Sequence, residues 1–208
     1  MQSYATAMRY FETQNPARAP RGYARLLEMV LNGDAEALSS IGSLLKYGVG
    51  LRCAPEFTFA CYLAAAKRGN PGAQYNLASV LIEGDGTTRD VKKGLRLLRT
   101  ARRNGSSEAT NYLGFCYRTG EGVKKDPRRG FALSLEAAEA GVAAAQHDVG
   151  MCFLTGTGVE KDPAAARRWI SRAARGGDRH AQEYLEQTHR RRARRPSKRR
   201  PKRDRFAG

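Results

Sequence analysis

Arginine and lysine offer the clearest chemistry in this chain, and they crowd toward its C-terminal end. Residues 190–205 hold eleven basic side chains and one acid, +10 of the net +17, which leaves +7 elsewhere. They are Arg190, Arg191, Arg192, Arg194, Arg195, Lys198, Arg199, Arg200, Lys202 and Arg203, with Pro196 and Pro201 interrupting the run, and Arg205 beyond Asp204. Self-repulsion and a lack of surface to bury predict a disordered basic tail over 190–208. Such a segment can contact RNA or DNA phosphates without reading sequence and with steep salt dependence. It also suits an import receptor, or a plain solubilising extension. Because no aromatic residue interleaves it before Phe206, stacking on bases is not expected.

A second basic feature lies inside the chain. Lys92, Arg96, Arg99 and Arg103 recur at intervals of four, three and four, which places them on one stripe of a helix. Arg168, Arg172 and Arg175 do the same further on. These stripes are anion-binding candidates; the bland alternative is a solvated outer face.

Other chemistries lack their residues. His147, His180 and His189 have no triad around them, and no His-Glu-x-x-His, Cys-x-x-Cys or phosphate-loop pattern occurs. No catalysis, cofactor or metal site is therefore expected. Cys53, Cys61, Cys116 and Cys152 are too few and too irregular for a secreted disulfide framework, and they read as small buried thiols in a reducing compartment. Residues 1–11 show no signal-peptide pattern, and no apolar run approaches a membrane span. A cytoplasmic location is expected, or a nuclear one if the tail is read by an import receptor.

What must position these residues is a repeat. Gly33, Gly69, Gly105, Gly141 and Gly177 stand 36 residues apart, each followed four residues later by an alanine, from Ala37 to Ala181. Two more ladders, Gly48, Gly84, Gly120, Gly156 and Gly50, Gly86, Gly122, Gly158, run between them. A fixed period of this length marks a helical solenoid. In residues 106–141 the apolar positions Ala109, Leu113, Cys116 and Tyr117 predict a first helix with one buried face. Gly120 and Gly122 stop it, and Asp126-Pro127 caps and opens a second helix that Gly141 ends. First helices are predicted to start at 34, 70, 106, 142 and 178, and second helices near 55, 91, 127 and 163. The glycines at 42, 114 and 150, with Ala78, predict close helix crossings.

The pattern resembles the Sel-one-like repeat family, relatives of the tetratricopeptide repeats. The resemblance rests on Ala109, Leu113-Gly114, Tyr117, Gly120-Glu121-Gly122-Val123, Asp126, Ala137-Ala138 and Gly141, and on the other copies of this spacing. It implies an all-α, right-handed α-solenoid with four full copies, 34–69, 70–105, 106–141 and 142–177. Residues 1–33 look like a degenerate first copy, with Gly22, Leu26, Leu27, Met29 and Val30 fitting a second helix. Residues 178–189 look like a capping helix, and 190–208 like the tail. The resemblance also implies a concave groove lined by the first helices and used to gather other proteins. Helix positions projected onto that groove give Glu36, Ser39, Ser43, Lys46 and Tyr47, then Tyr75, Ser79 and Ile82. Asn111, Phe115 and Arg118 follow, then His147, Met151 and Leu154. The binding candidates among them are Tyr47, Tyr75, Asn111, Phe115, Arg118, His147 and Met151, on a monomer that takes a protein or peptide partner.

Overall fold

One short segment ends each helix pair and starts the next, and it sets the repeat. At Gly141, φ is +97°, in the left-handed region that residues with a Cβ avoid. The following amide, Val142 N–H, donates to the Ala137 carbonyl at 3.1 Å, closing the outer helix in a Schellman-type turn. The same bond recurs in the other copies, from Asp34, Asn70, Ser106 and Asp178. In four of the five, that residue's side chain then caps the next helix. Asp34, Asn70, Ser106 and Asp178 accept from Ala37, Ala73, Ala109 and Ala181 N–H at 2.7–3.1 Å. This explains the alanine ladder, since the capped amide belongs to a residue buried flat against the stack.

In the computed structural model, residues 19–48 and 55–193 are described. They form ten helices and, among the described residues, no strand. These are α1 (Ala19–Leu31), α2 (Ala35–Lys46), α3 (Pro55–Lys67), α4 (Pro71–Glu83) and α5 (Val91–Arg103). The rest are α6 (Ser107–Thr119), α7 (Pro127–Glu139), α8 (Ala143–Thr155), α9 (Pro163–Arg175) and α10 (Arg179–Ala193). Second helices begin on the predicted residues. First helices begin one residue later than predicted, because 34, 70, 106, 142 and 178 are caps. Each helix packs on the one before and after it, and α2–α4 and α4–α6 also touch directly. These even-numbered helices therefore form the inner, shorter side of the solenoid.

The glycine at 114 marks the predicted crossing. A Cβ there would sit 2.6 Å from Ser134 Oγ and 2.8 Å from the Gly130 carbonyl oxygen on α7. Small residues on both helices let α6 and α7 meet backbone to backbone, and the core is then filled by Leu95, Leu98, Leu113, Cys116 and Leu133 alongside. Burial pushes the Cys116 thiol up to about 11, so it stays a protonated, inert core group.

Gly22, Leu26, Leu27, Met29 and Val30 all lie on α1, which buries Tyr23 and Leu26 and leaves Leu27 53% exposed. One expectation is corrected. The capping helix does not stop at residue 189; it runs through residues 190–193, which were predicted to be disordered. No proline intervenes before Pro196, Glu, Gln and Arg are good helix formers, and Glu186 and Arg190 pair at 3.9 Å one turn apart. Residues 194–208 lie outside the described residues, as do 1–18 and Cys53.

The outer helices are capped by Asp90, Asp126 and Asp162, as predicted. Each side chain accepts from the N3 amide, and each backbone N–H donates back to the preceding inner helix, as Asp126 does to Tyr117 O at 2.8 Å. Hydrogen bonding from Ala165 N–H, above all, holds the Asp162 carboxyl below its ordinary range; burial opposes this, and Ala164 N–H and Arg168 assist. The folded chain thus binds this proton more weakly than the unfolded one. The cap's contribution is complete above the ordinary aspartate range and is lost as pH falls through the lowered folded value. Asp162→Ala should melt below wild type at neutral pH, with the gap closing in strong acid. An equal gap at both pH values, in melts followed by circular dichroism, would mean that the carboxylate charge is not what caps α9.

Candidate functional site

Three of the side-chain ties between one inner helix and the next share a sequence offset of 37. Tyr75 meets Tyr112 edge-on, with ring centroids 6.2 Å apart, Asn111 Nδ2 donates to Asp148 Oδ2 at 3.1 Å, and Lys46 Nζ lies 3.7 Å from Glu83 Oε2. Through these ties the inner helices present one joined surface.

Its centre is aromatic. Phe115 is 43% exposed and stacks edge-on against Tyr112 at 5.9 Å, which in turn meets Tyr75. Burial raises the Tyr75 hydroxyl to about 12 and Tyr112 higher still, so neither ring carries charge at physiological pH. Ser79 Oγ donates to Glu83 Oε1 at 2.7 Å. Beside Phe115, the Asn111 Oδ1 atom is buried without a hydrogen-bond partner in the structure. The amide nitrogen is fixed on Asp148, and the oxygen is enclosed by its surroundings.

Charge flanks this ladder. Arg118 is about 10% exposed; it donates to Asp148 Oδ2 at 2.9 Å and also to Ser134 Oγ of α7. It works as a strut that orients Asp148. His147 lies 3.9 Å from Asp148, and its ring sits 6.1 Å from that of His180.

The predicted groove residues divide accordingly. Tyr75, Asn111, Phe115, Arg118 and His147 come together around Asp148 and Tyr112. Tyr47 is 77% exposed at the C-terminus of α2. Met151 and Leu154 were expected to face the groove but pack against Ile170, Ala173 and Ala181 between α9 and α10. Ser39, Ser79 and Ile82 are buried, Ile82 within the core cluster beside Leu95. Sequence reasoning missed Tyr112 and Asp148, which occupy one repeat position; the offset of 37 is the signal that finds them.

The outer helices are farther apart. Between α5 and α7 opens a depression lined by Arg96, Arg99, Arg102, Arg103 and Arg129, over Tyr117. Lys92 is exposed on the same helix. Arg102 pairs with Glu136 at 2.9 Å, and the Arg129 guanidinium lies 4.3 Å over the Tyr117 ring. Like charges three and four residues apart destabilise a helix by about 0.2–0.5 kcal/mol per pair, and α5 holds several with no acid among them. Of the tail residues, Arg190 is exposed on α10; Arg191 and Arg192 are helical. Arg194, Arg195, Lys198, Arg199, Arg200, Lys202 and Arg203 lie outside the described residues. No described helix is long and apolar enough to cross a membrane.

Helix pairs of constant length, joined by the same turn and capped by the same residue types, define a helical-repeat solenoid with a continuous inner face. The Sel1 repeat family model matches residues 71–106, 107–142 and 143–178, more than half of the chain, and the chain belongs to that family. Residues 34–69 carry the helices of a further copy without a match; there Ala54 stands where the other copies have the capping aspartate. The structure is similar to a Sel1 repeat protein from Oxalobacter formigenes, with a TM-score of 0.70 and 25% identity, over 89% of this chain and 75% of that one. It is also similar to a protective antigen of uropathogenic Escherichia coli displaying an SLR fold, with a TM-score of 0.62 and 25% identity. That match covers 86% of this chain and 38% of the antigen. Among curated proteins, none matches. Sel1 repeat proteins commonly act as protein–protein interaction scaffolds.

Proposed function

We propose that this chain is a non-enzymatic adaptor whose inner face, centred on α4, α6 and α8, holds an extended segment of a protein partner. The observation that carries the reading is Phe115, a large apolar side chain on a joined aromatic ladder, left 43% exposed. Apolar side chains left open next to convergent polar groups are where partner contacts concentrate. The ladder supplies a surface for an apolar anchor, and Asp148 a negative charge held in place by Arg118. A pull-down from the native cell, wild type against Phe115→Ala, tests this. Selective loss of discrete partners is expected, and an unchanged set would remove the groove from the account.

A further inference from the structure

We propose that the outer face of the second and third repeats is a separate docking surface for an acidic, Asp/Glu-rich segment of a protein partner. Arg96, Arg99 and Arg103 of α5 and Arg129 of α7 line the depression from both sides, and none of the four has an ion pair among the described residues. The one carboxylate in the depression, Glu136, is held by Arg102. Helix α5 carries six basic residues and no acid in thirteen positions. A merely solvated helix gains when acids stand three or four residues from its bases. Helix α5 instead keeps a repulsion that a carboxylate ligand would relieve.

The geometry favours a polypeptide over a nucleic acid. The guanidiniums stand around a recess whose floor is the half-buried Tyr117 ring and the edges of Leu113 and Leu133. An extended acidic chain brings carboxylates for the rim and small side chains for the recess, whereas a base of a single-stranded nucleic acid would need the Tyr117 face that the Arg129 guanidinium already covers at 4.3 Å. Arg96, Arg99 and Arg103 follow one another at roughly one-turn spacing, about 4.5–6 Å along the axis. Carboxylates on alternate residues of an extended chain, about 6.6–6.8 Å apart, can follow that row. A neighbouring depression shares Tyr117 and Arg129 and is lined by Lys124, Lys125 and Arg128 together with Asp126 and Glu160. This surface is independent of the groove around Phe115.

The test uses full-length protein and two fluorescent probes of equal charge, an Asp/Glu-rich peptide and a single-stranded oligonucleotide. One variant carries Arg96→Gln, Arg99→Gln, Arg103→Gln and Arg129→Gln; another carries glutamine at the seven basic positions from Arg194 to Arg203. The outer-face variant should lose peptide affinity by roughly tenfold or more, while the tail variant and Phe115→Ala keep most of it. Relief of like-charge repulsion on α5 should offset the lost Arg129 contact with Tyr117, so the outer-face variant should melt within a few degrees of wild type and the loss is not unfolding. Peptide binding lost only in the tail variant would overturn the proposal. So would an oligonucleotide that binds the outer face more tightly than the peptide, which would make the surface a nucleic-acid one.

Discussion

Gly114→Ala should lower stability by about 1–3 kcal/mol, although alanine is the better helix former. The propensity gain is about 1 kcal/mol and would win at an exposed site. Here the added methyl meets the Gly130 carbonyl at 2.8 Å, a backbone atom that cannot move without moving α7. It also meets Ser134 Oγ at 2.6 Å, the group that accepts from Arg118. Separation of α6 from α7 should therefore weaken the Arg118–Asp148 strut as well as the core. In a chain of this size a melting-temperature drop of roughly 2–4 °C per kcal/mol follows. Gly105 gives the contrast: its φ is +90°, but a Cβ there meets nothing within 4 Å. Its constraint is conformational, so Gly105→Asn, which tolerates the left-handed region, should retain most of the stability. Gly114→Asn should not. Equal effects at the two sites would mean that crowding is not what selects glycine in the helix.

Phe115→Ala should leave the fold nearly intact and weaken partner binding by about 30-fold or more. In the free protein the ring makes one edge-on contact with Tyr112, and such a pair contributes about 0.5–1.5 kcal/mol. If the ring anchors a partner, its truncation costs at least about 2 kcal/mol of binding, because aromatic anchors near the centre of an interface dominate the energy. The two readouts separate the roles. A melt unchanged within a few degrees with affinity lost supports the groove; a melt that collapses would make Phe115 a packing residue.

The repeat itself was legible because its punctuation is chemical. A left-handed glycine, a capping side chain and an Asp-Pro start leave little freedom in where helices begin, and the starts fall within one residue of prediction. The close approach at Gly114 was legible for a related reason, since a glycine kept inside a helix needs a neighbour to explain it. The groove was only partly legible. A single helix shows which residues leave its own surface, but Met151 and Ile82 turn into the core beside the outer helix of their own pair and Ser79 is buried, and only the packing of neighbouring helices decides that. Tyr112 and Asp148 were missed for the same reason: their partners, Tyr75 and Asn111, lie 37 residues back, one beyond the period. The C-terminal end misled because its charge suggested repulsion, while the local residues Glu186, Gln187 and Arg190 are helix formers with an ion pair to close a turn.

The account stands most directly on which face a partner touches. A photo-crosslinking side chain placed at position 115, in full-length protein in its native cell, should capture a discrete partner whose crosslinked peptide can be sequenced. The same group at Phe57, exposed on outer helix α3, should not capture that partner. Capture of the same protein at both positions, or at position 57 alone, would contradict binding on the inner face.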